Sequence, residues 1–363
     1  MSKLKNTHSS EINSSIGKSE KKNNKRPLRV GFPRALLYYK FYVLWTVFFE
    51  TLGAKVIVSP LTNKEIKDVS VKSAPDEDCY STKLYFGHVL FLKDKVDYFF
   101  IPRFSSDHRT DISCPKFIGL AEVLRSIFPD LPPILMPYYS KAKDGHGKIR
   151  LFKIAYSLGF KFTKNPFRIL YSFVKSFRKY KQYHDDLYIS EDELKRWEKD
   201  EFVFNKEIST TDGTNPFKIA LVGHSYVIND SYASLRIKEM LLADNVEIIT
   251  SEQLPKSVIE HQMSKLDFNM YFRYEREILG TVMHFLENET VDGILQLIVF
   301  SCGPDSIGGE MASRFSRRNQ NVPLLQLTLD ELSSEAGVRT RLEAFLDLIE
   351  RRRKIKESEM ICQ

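Results

Sequence analysis

Three of the four cysteines in this sequence stand directly before stretches that are predicted to be helices. Cys79 precedes YSTKLYFGHVLFL, and Cys114 precedes PKFIGLAEVLRSIF, in which Pro115 takes the favoured first helical position. Cys302 follows an apolar run, predicted to be a strand, and precedes PDSIGGEMASRF. Backbone N–H groups and the positive dipole end at a helix N-terminus lower the pKa of a thiol. Three such thiolates could bind a metal cation or an iron-sulfur cluster.

A buried cysteine can also pack as a small hydrophobic residue, and this is the alternative interpretation for each of the three. Their shared position before a helix favours ligands. Gly303, and farther along Gly308 and Gly309, are expected to keep the backbone close to whatever Cys302 binds, because cluster sulfides accept backbone N–H hydrogen bonds. We therefore predict the three cysteines as metal ligands and Gly303 as a cofactor-binding residue.

The spacing of the cysteines matches neither a dense disulfide framework nor a CxxC motif, so zinc ribbons and thioredoxin-type redox motifs find no support. His108 and His224 lie in predicted loops, where either could complete a zinc site with the cysteines. Cys362, the second-last residue, follows a long charged helix and is predicted to be a free surface thiol.

The segments around these cysteines are repeated along the chain. LRVGFPRALLYYK parallels FKIALVGHSYVIND, and TLGAKVIVSP parallels LLADNVEIITSEQL. LKDKVDYFFIPRFSSDHRTDISCP then parallels LENETVDGILQLIVFSCGPDS, and PDLPPILMP parallels NQNVPLLQLT. Four correspondences in the same order predict an internal duplication of about 110 to 140 residues.

Each repeat alternates strands with helices, and the strands are near-continuous apolar runs such as YFFIP and GILQLIVF. Strands of this kind are covered by helices on both faces. The fold class is therefore predicted as α/β, with two Rossmann-like doubly wound parallel sheets. Such sheets bind ligands at the carboxyl ends of their strands, which predicts a site in the cleft between the two domains.

Length and charge set the domain boundaries. The chain has 363 residues, of which 42% are hydrophobic, and this size suits two domains better than one. Much of the net charge of +7 falls in residues 1–26, a polar basic stretch predicted to be a disordered tail. The predicted domains are 27–140 and 207–363, separated by an insertion over 141–206. No apolar run is long enough for a membrane span or a signal peptide, so we expect a cytoplasmic protein with no membrane partner.

The insertion is basic and aromatic. Between residues 141 and 181, twelve lysines or arginines face a single acidic residue and are interleaved with nine phenylalanines or tyrosines. This composition is found in proteins that bind single-stranded nucleic acid. The helical spacing of aromatics such as Phe167, Tyr171 and Phe173 favours instead a helical cover packed by one face. We expect no nucleic-acid binding, and an acidic partner or a phosphate-bearing ligand is the other interpretation.

Three segments, GFPRAL, CGPDS and DELSSEAGVRTRLEAFLDLI, resemble those of the activase-related proteins of the 2-hydroxyacyl-CoA dehydratases. That group is similar in turn to the iron-sulfur subunits of the dehydratases and to the double-cubane-cluster reductases. The resemblance covers about residues 28–140 and 217–350. It implies a [4Fe-4S] cluster in the cleft, held by cysteines that correspond to Cys79, Cys114 and Cys302. It also implies that a separate ATP-hydrolysing activator reduces the cluster.

The leading functional hypothesis is an iron-sulfur redox protein that passes low-potential electrons to a CoA-thioester or other small substrate, or to a partner. The chain has neither a GxxxxGK(S/T) nor a GxGxxG motif, so ATP hydrolysis is expected in the activator. One alternative is a non-catalytic binding or assembly module for an activase partner, and another is a zinc protein with three cysteines and one histidine. The sequence leaves open whether the chain is an enzyme and whether it forms an oligomer.

Overall fold

The structure is a computed structural model that describes residues 26–106, 111–140, 147–201 and 216–361. Strands and helices alternate through the first half of the chain. In order, they are β1 (Arg29–Phe32), α1 (Tyr38–Thr51), β2 (Lys55–Val58), α2 (Lys64–Ser73), α3 (Tyr80–Leu92), a short 3₁₀ helix (Lys93–Lys95), β3 (Tyr98–Phe100), β4 (Arg103–Ser106), α4 (Pro115–Ile127), β5 (Ile134–Leu135) and β6 (Tyr138–Ser140).

Three helices of the insertion come next: α5 (Gly147–Gly159), α6 (Pro166–Leu187) and α7 (Glu191–Glu198). The second half again alternates strands and helices. Its elements are β7 (Phe217–Val222), α8 (Ser225–Ile228), α9 (Ile237–Ala243), β8 (Val246–Thr250), α10 (Lys256–Met263), α11 (Arg273–Asn288), β9 (Gly293–Val299), α12 (Gly303–Arg318), β10 (Leu324–Leu329) and α13 (Glu335–Ile361). In the part of the chain that is described, no helix is both long and apolar enough to cross a bilayer.

The two halves form two parallel sheets with the same strand order. The first sheet runs β2-β1-β3-β5 and the second β8-β7-β9-β10, and each neighbouring pair is parallel. In each sheet the first strand of the repeat lies second from one edge, next to the third. The identical order confirms the predicted doubly wound α/β fold and supports its origin in a duplication. A further small sheet pairs β4 with β6.

Burial explains why these apolar runs become strands. Every residue of β8 is buried, as are all residues of β9 except Ile298. A strand whose side chains are buried on both faces needs apolar residues at successive positions, because helices cover both sides of the sheet. The strands of the first sheet are shorter, and its edge strand β2 is only half-buried.

The insertion is helical over its described residues, as predicted, and it packs on both halves of the chain. Helix α6 lies against α1, where Ile169 is buried in the aromatic core of the first half. Helix α7 begins with a capping box at Ser190 and buries Trp197 against Phe285 of α11, with ring centroids 6.1 Å apart. The insertion therefore ties the two halves together.

The packed face of α6 differs from the predicted one. Phe167 and Tyr171 are 78% and 61% exposed, whereas Phe173 is half-buried. Asn165 caps the helix and fixes its phase, so that Ile169 and Ser172 turn inward and the first two aromatics turn outward. The prediction that all three aromatics pack as a cover was wrong for Phe167 and Tyr171. The expectation of no nucleic-acid binding stays a prediction.

The two halves share a continuous core. One cluster of buried side chains includes Phe117 of the first half and Leu221 of the second. Lys40 of α1 also forms an ion pair of 3.3 Å with Glu277 of α11, and both side chains are largely buried. The predicted domain boundaries stay a prediction. The predictions for residues 1–25, His108 and Cys362 fall outside the described residues.

Gly87 provides a test of the packing between α2 and α3. A Cβ at Gly87 would lie 2.1 Å from Ser70 Oγ and 2.4 Å from the backbone oxygen of Ile66, so α2 would have to move. We expect Gly87→Ala to lower the free energy of unfolding by about 2 kcal/mol or more. The control is Gly119→Ala in α4, where no heavy atom lies within 4 Å of the added methyl group.

The control should gain up to about 1 kcal/mol, because alanine favours a helix more than glycine does. Urea unfolding of both variants measures the difference. Equal stability of Gly87→Ala and Gly119→Ala would contradict this account of the α2–α3 contact.

Candidate functional site

Four helix N-termini, two from each half, border one pocket. The first turns of α3, α4, α11 and α12 contribute its lining, together with the residue that precedes each helix. These N-cap residues are Cys79, Cys114, Phe272 and Cys302. The three predicted cysteines are thus brought together at the junction of the two halves. Their role as ligands stays a prediction.

The duplication explains this arrangement. Helices α4 and α12 follow the third strand of their repeats, which makes Cys114 and Cys302 equivalent positions. In each repeat two helices follow the second strand, namely α2 and α3 in the first repeat and α10 and α11 in the second. Cys79 precedes α3 and Phe272 precedes α11, so these two residues correspond. The site therefore has four corners of similar backbone geometry. Three carry a thiol, and the fourth carries a phenyl ring that cannot bind a metal.

None of the three cysteine side chains caps its own helix. Cys302 is buried, whereas Cys79 and Cys114 are half-buried, and Cys79 Sγ lies 3.1 Å from Thr82 Oγ1. All three residues line the pocket.

Burial raises the pKa of two of the three thiols, whereas their position at helix N-termini predicted a lower pKa. Burial raises the pKa of Cys302 well above its ordinary value, and the nearby Asp305 adds to the rise. Burial also raises the pKa of Cys114, and Cys79 contributes at both positions. The expected lowering by the helix dipole is therefore wrong for these two thiols in the absence of a cation, because desolvation outweighs the dipole. A bound metal cation would reverse the balance.

His224 stands beside Cys302 at the N-cap of α8. It is buried, stacks on Tyr226 at 4.8 Å and meets the ring of Tyr274 edge-on at 5.2 Å. Its Nε2 atom lies 3.9 Å from Cys302 Sγ and 3.5 Å from Asp305 Oδ2. Burial lowers the pKa of His224, so the ring is neutral at pH 7 and can act as a metal ligand.

Two buried carboxyl groups complete the site. Glu275 is 1% exposed and Asp305 is fully buried. Asp305 Oδ2 accepts a 2.6 Å hydrogen bond from the backbone N–H of Val299, while Asp305 Oδ1 and Glu275 Oε2 have no hydrogen-bond partner. Burial raises the pKa of both carboxyls. Unpartnered buried oxygens are costly, so Asp305 Oδ1 and Glu275 Oε2 are candidates for contact with a bound group.

Sequence reasoning missed both acids. Asp305 lies three residues after Cys302 in the CGPDS segment, and this spacing could have indicated it. Glu275 belongs to a different helix, and its position follows only from the duplication, in which it corresponds to Thr82. The equivalent residues are the third in α11 and in α3.

The loop before α12 is held in an unusual conformation. Ser301 has a φ of 62°, in the left-handed region that costs a non-glycine residue on the order of 1 kcal/mol. Ser301 Oγ donates to the backbone oxygen of Glu77 at 3.2 Å, and the N–H of Tyr80 donates to the oxygen of Phe300 at 3.4 Å. These bonds fasten the segment before Cys302 to the segment around Cys79.

The nearby glycines differ in role. A Cβ at Gly303 would meet no heavy atom within 4 Å, but Gly303 is exposed and is not among the residues that line the pocket. Its role as a cofactor-binding residue stays a prediction. Gly309 instead packs on Ile298 of β9, and Gly308 on the carboxylate of Glu275. The expectation that these last two glycines admit a ligand was wrong, because they allow close packing of α12 on its neighbours.

Comparison with known families gives one match. The model described as the CoA enzyme activase uncharacterised domain matches residues 29–254, which is more than half of the chain. The match includes Cys79, Cys114 and His224 and ends before Cys302. No match is found among curated proteins.

Glu275 offers a test of the electrostatics in the metal-free protein. Its folded pKa lies above the ordinary value of 4.5, so wild-type protein loses stability as the pH rises from about 4.5 through the folded pKa. Glu275→Gln does not titrate. We expect this variant to be more stable than the wild type at pH 8 and equally stable near pH 4.

The control is Glu357→Gln on the exposed face of α13, which should change stability by less than about 0.5 kcal/mol at either pH. Denaturant unfolding at the two pH values gives the comparison. A gain for Glu275→Gln that does not depend on pH would rule out a buried titrating carboxyl.

Proposed function

Because the chain belongs to the CoA enzyme activase family, we propose that it is an iron-sulfur component of an activase-dependent system, with a [4Fe-4S] cluster held by Cys79, Cys114 and Cys302. The observation that carries the proposal is the convergence of these thiols, each at a helix N-terminus, on one pocket.

The residues present fit a cluster. A [4Fe-4S] unit with thiolate ligands is net negative, and four helix N-termini place positive dipole ends around it. Glu275 Oε2 and Asp305 Oδ1 have no hydrogen-bond partner, and burial raises the pKa of both carboxyls, which favours the protonated form that donates hydrogen bonds.

The residue at the fourth helix N-terminus, Phe272, would leave such a cluster one iron without a cysteine ligand. Phe272 offers no ligand atom, so the three cysteines leave one coordination position for a substrate oxygen or for a residue such as His224. When bound, the cluster supplies electrons one at a time at low potential. The buried side chains of His224, Tyr226 and Tyr274 line the same pocket.

In this proposal the partner is a separate activator protein that hydrolyses ATP. The sequence carries no phosphate-binding GxxxxGK(S/T) loop, so ATP hydrolysis belongs to a separate activator in this proposal. A CoA thioester is the substrate class that the family description suggests. The chain would either reduce such a substrate itself or relay electrons to the enzyme that does.

A zinc site is the second candidate, favoured by one specific cluster. Ligand atoms of His224, Cys302 and Asp305 lie within 4.8 Å of one another, and all three residues are buried. Cysteine, histidine and carboxylate are all zinc ligands. This site uses His224 and Asp305, whereas the cluster needs Cys79 and Cys114, so variants separate the two. A non-catalytic binding module would hold no metal.

The test is the metal content of anaerobically purified variants. We expect about four iron and four sulfide per chain in the wild type, with most of both lost in Cys79→Ser, Cys114→Ser and Cys302→Ser. Cys362→Ser is the matched control and should retain both. Asp305→Asn should keep iron and sulfide if the cluster is present and should lose zinc if the second candidate is correct.

Circular dichroism and thermal unfolding establish that each variant is folded. Equal iron and sulfide in all four cysteine variants would refute the cluster assignment. Zinc that depends on Asp305 would replace it with the second candidate, and a metal-free wild type would leave the binding module.

A further inference from the structure

A large chamber lies on the first half of the chain, beneath the insertion. Its volume is about 610 Å³, within the range of roughly 300–1,000 Å³ that small-molecule sites occupy. Helices α1, α5 and α6, the β4–β6 pair and the start of α10 enclose it. The side chains used in the argument below are Phe41, Trp45, Phe104, Leu151, Lys148 and Lys256.

The wall of the chamber is aromatic and apolar. Phe104 stacks on Tyr139 with ring centroids 5.7 Å apart, and Phe41 meets Phe104 at 5.2 Å. Trp45 forms part of the floor, and Leu151 of α5 faces the chamber from the insertion. Binding of an apolar ligand to such a surface is favourable, because it displaces water from apolar side chains.

The charges at the chamber have one sign. Among the described residues that line it, Lys148 and Lys256 are the charged side chains, and no carboxylate accompanies them. Both lysines are exposed, which places them at the solvent side of the chamber. An anionic group would meet two cations there while the apolar part of the same molecule lies inside.

A small inner cavity connects the lining of the chamber with that of the cysteine pocket. This cavity shares Phe41, Trp45 and Pro102 with the chamber. The same inner cavity shares Leu36 and Phe117 with the cysteine pocket. Three spaces therefore lie in a row, each separated from the next by a few apolar side chains.

We propose that this chamber binds an amphipathic carboxylate. Its apolar chain or ring lies among Phe41, Trp45 and Phe104, and its carboxylate lies at Lys148 and Lys256. The apolar end of the ligand then points along the row of cavities toward the cysteines. This binding site rests on the chamber alone and does not require the cluster.

The test uses a dansyl-labelled undecanoate as the probe and follows its fluorescence on titration with the full-length protein. We expect saturable binding to the wild type and a Kd at least tenfold higher for Leu151→Trp, which fills the chamber. Lys148→Glu/Lys256→Glu, a double charge reversal at two exposed positions, should weaken binding by a similar factor. The dansyl-labelled undecylamine should bind at least tenfold more weakly than the carboxylate.

Val174→Trp and Lys175→Glu, on the exposed face of α6, are the matched controls and should leave the Kd unchanged. Cys302→Ser should also bind the probe normally, which separates this site from the metal site. The inference is wrong if the wild type does not bind, if the amine binds as tightly as the carboxylate, or if the charge reversal has no effect. Should Leu151→Trp fail to fold, the charge reversal and the amine decide the outcome.

Discussion

The structure depends on the meeting of four positive helix ends at one buried pocket. The N-termini of α3, α4, α11 and α12 each carry about half a unit of positive charge, and their proximity is unfavourable unless negative charge or hydrogen-bond acceptors lie between them. The chain places three thiols and two carboxyl groups there. Burial raises the pKa of Cys114, Cys302, Glu275 and Asp305, which disfavours their charged forms, and the proposed cluster would offset this effect by stabilising the thiolates.

Duplication supplies the geometry, but the two halves carry different residues at equivalent positions. Two sheets of the same strand order bring two equivalent pairs of helix N-termini together, and three of the four N-cap positions carry a cysteine. Phe272 stands at the fourth position, opposite Cys79 in the repeat. A closed set of four thiolates favours a structural or electron-transfer site, whereas three leave a coordination position for chemistry. The reactive side of the proposed centre is therefore fixed by one residue.

The sequence predicted the elements of this site better than its environment. Cys79, Cys114 and Cys302 could be located because helix N-termini have local signals, such as Pro115 and the apolar strand before Cys302. The two parallel sheets followed from the alternation of strands and helices, which is repeated in the two halves, whereas the order of the strands came from the structure. Glu275 was missed, because no local pattern marks it and only the repeat, in which it corresponds to Thr82, relates it to the site. The thiol pKa values were misjudged for the same reason, since burial is a property of the tertiary structure.

A [4Fe-4S] cluster held by three cysteines would contain three irons with a cysteine thiolate ligand and one iron without. Mössbauer spectroscopy of protein reconstituted with isotopically enriched iron distinguishes a site with a thiolate ligand from one without. The account predicts a three-to-one pattern, in which the minor iron changes its parameters when a small oxygen ligand is added. Four equivalent iron sites, or iron that shows no cluster signature, would contradict the assignment of Phe272 as the corner without a ligand.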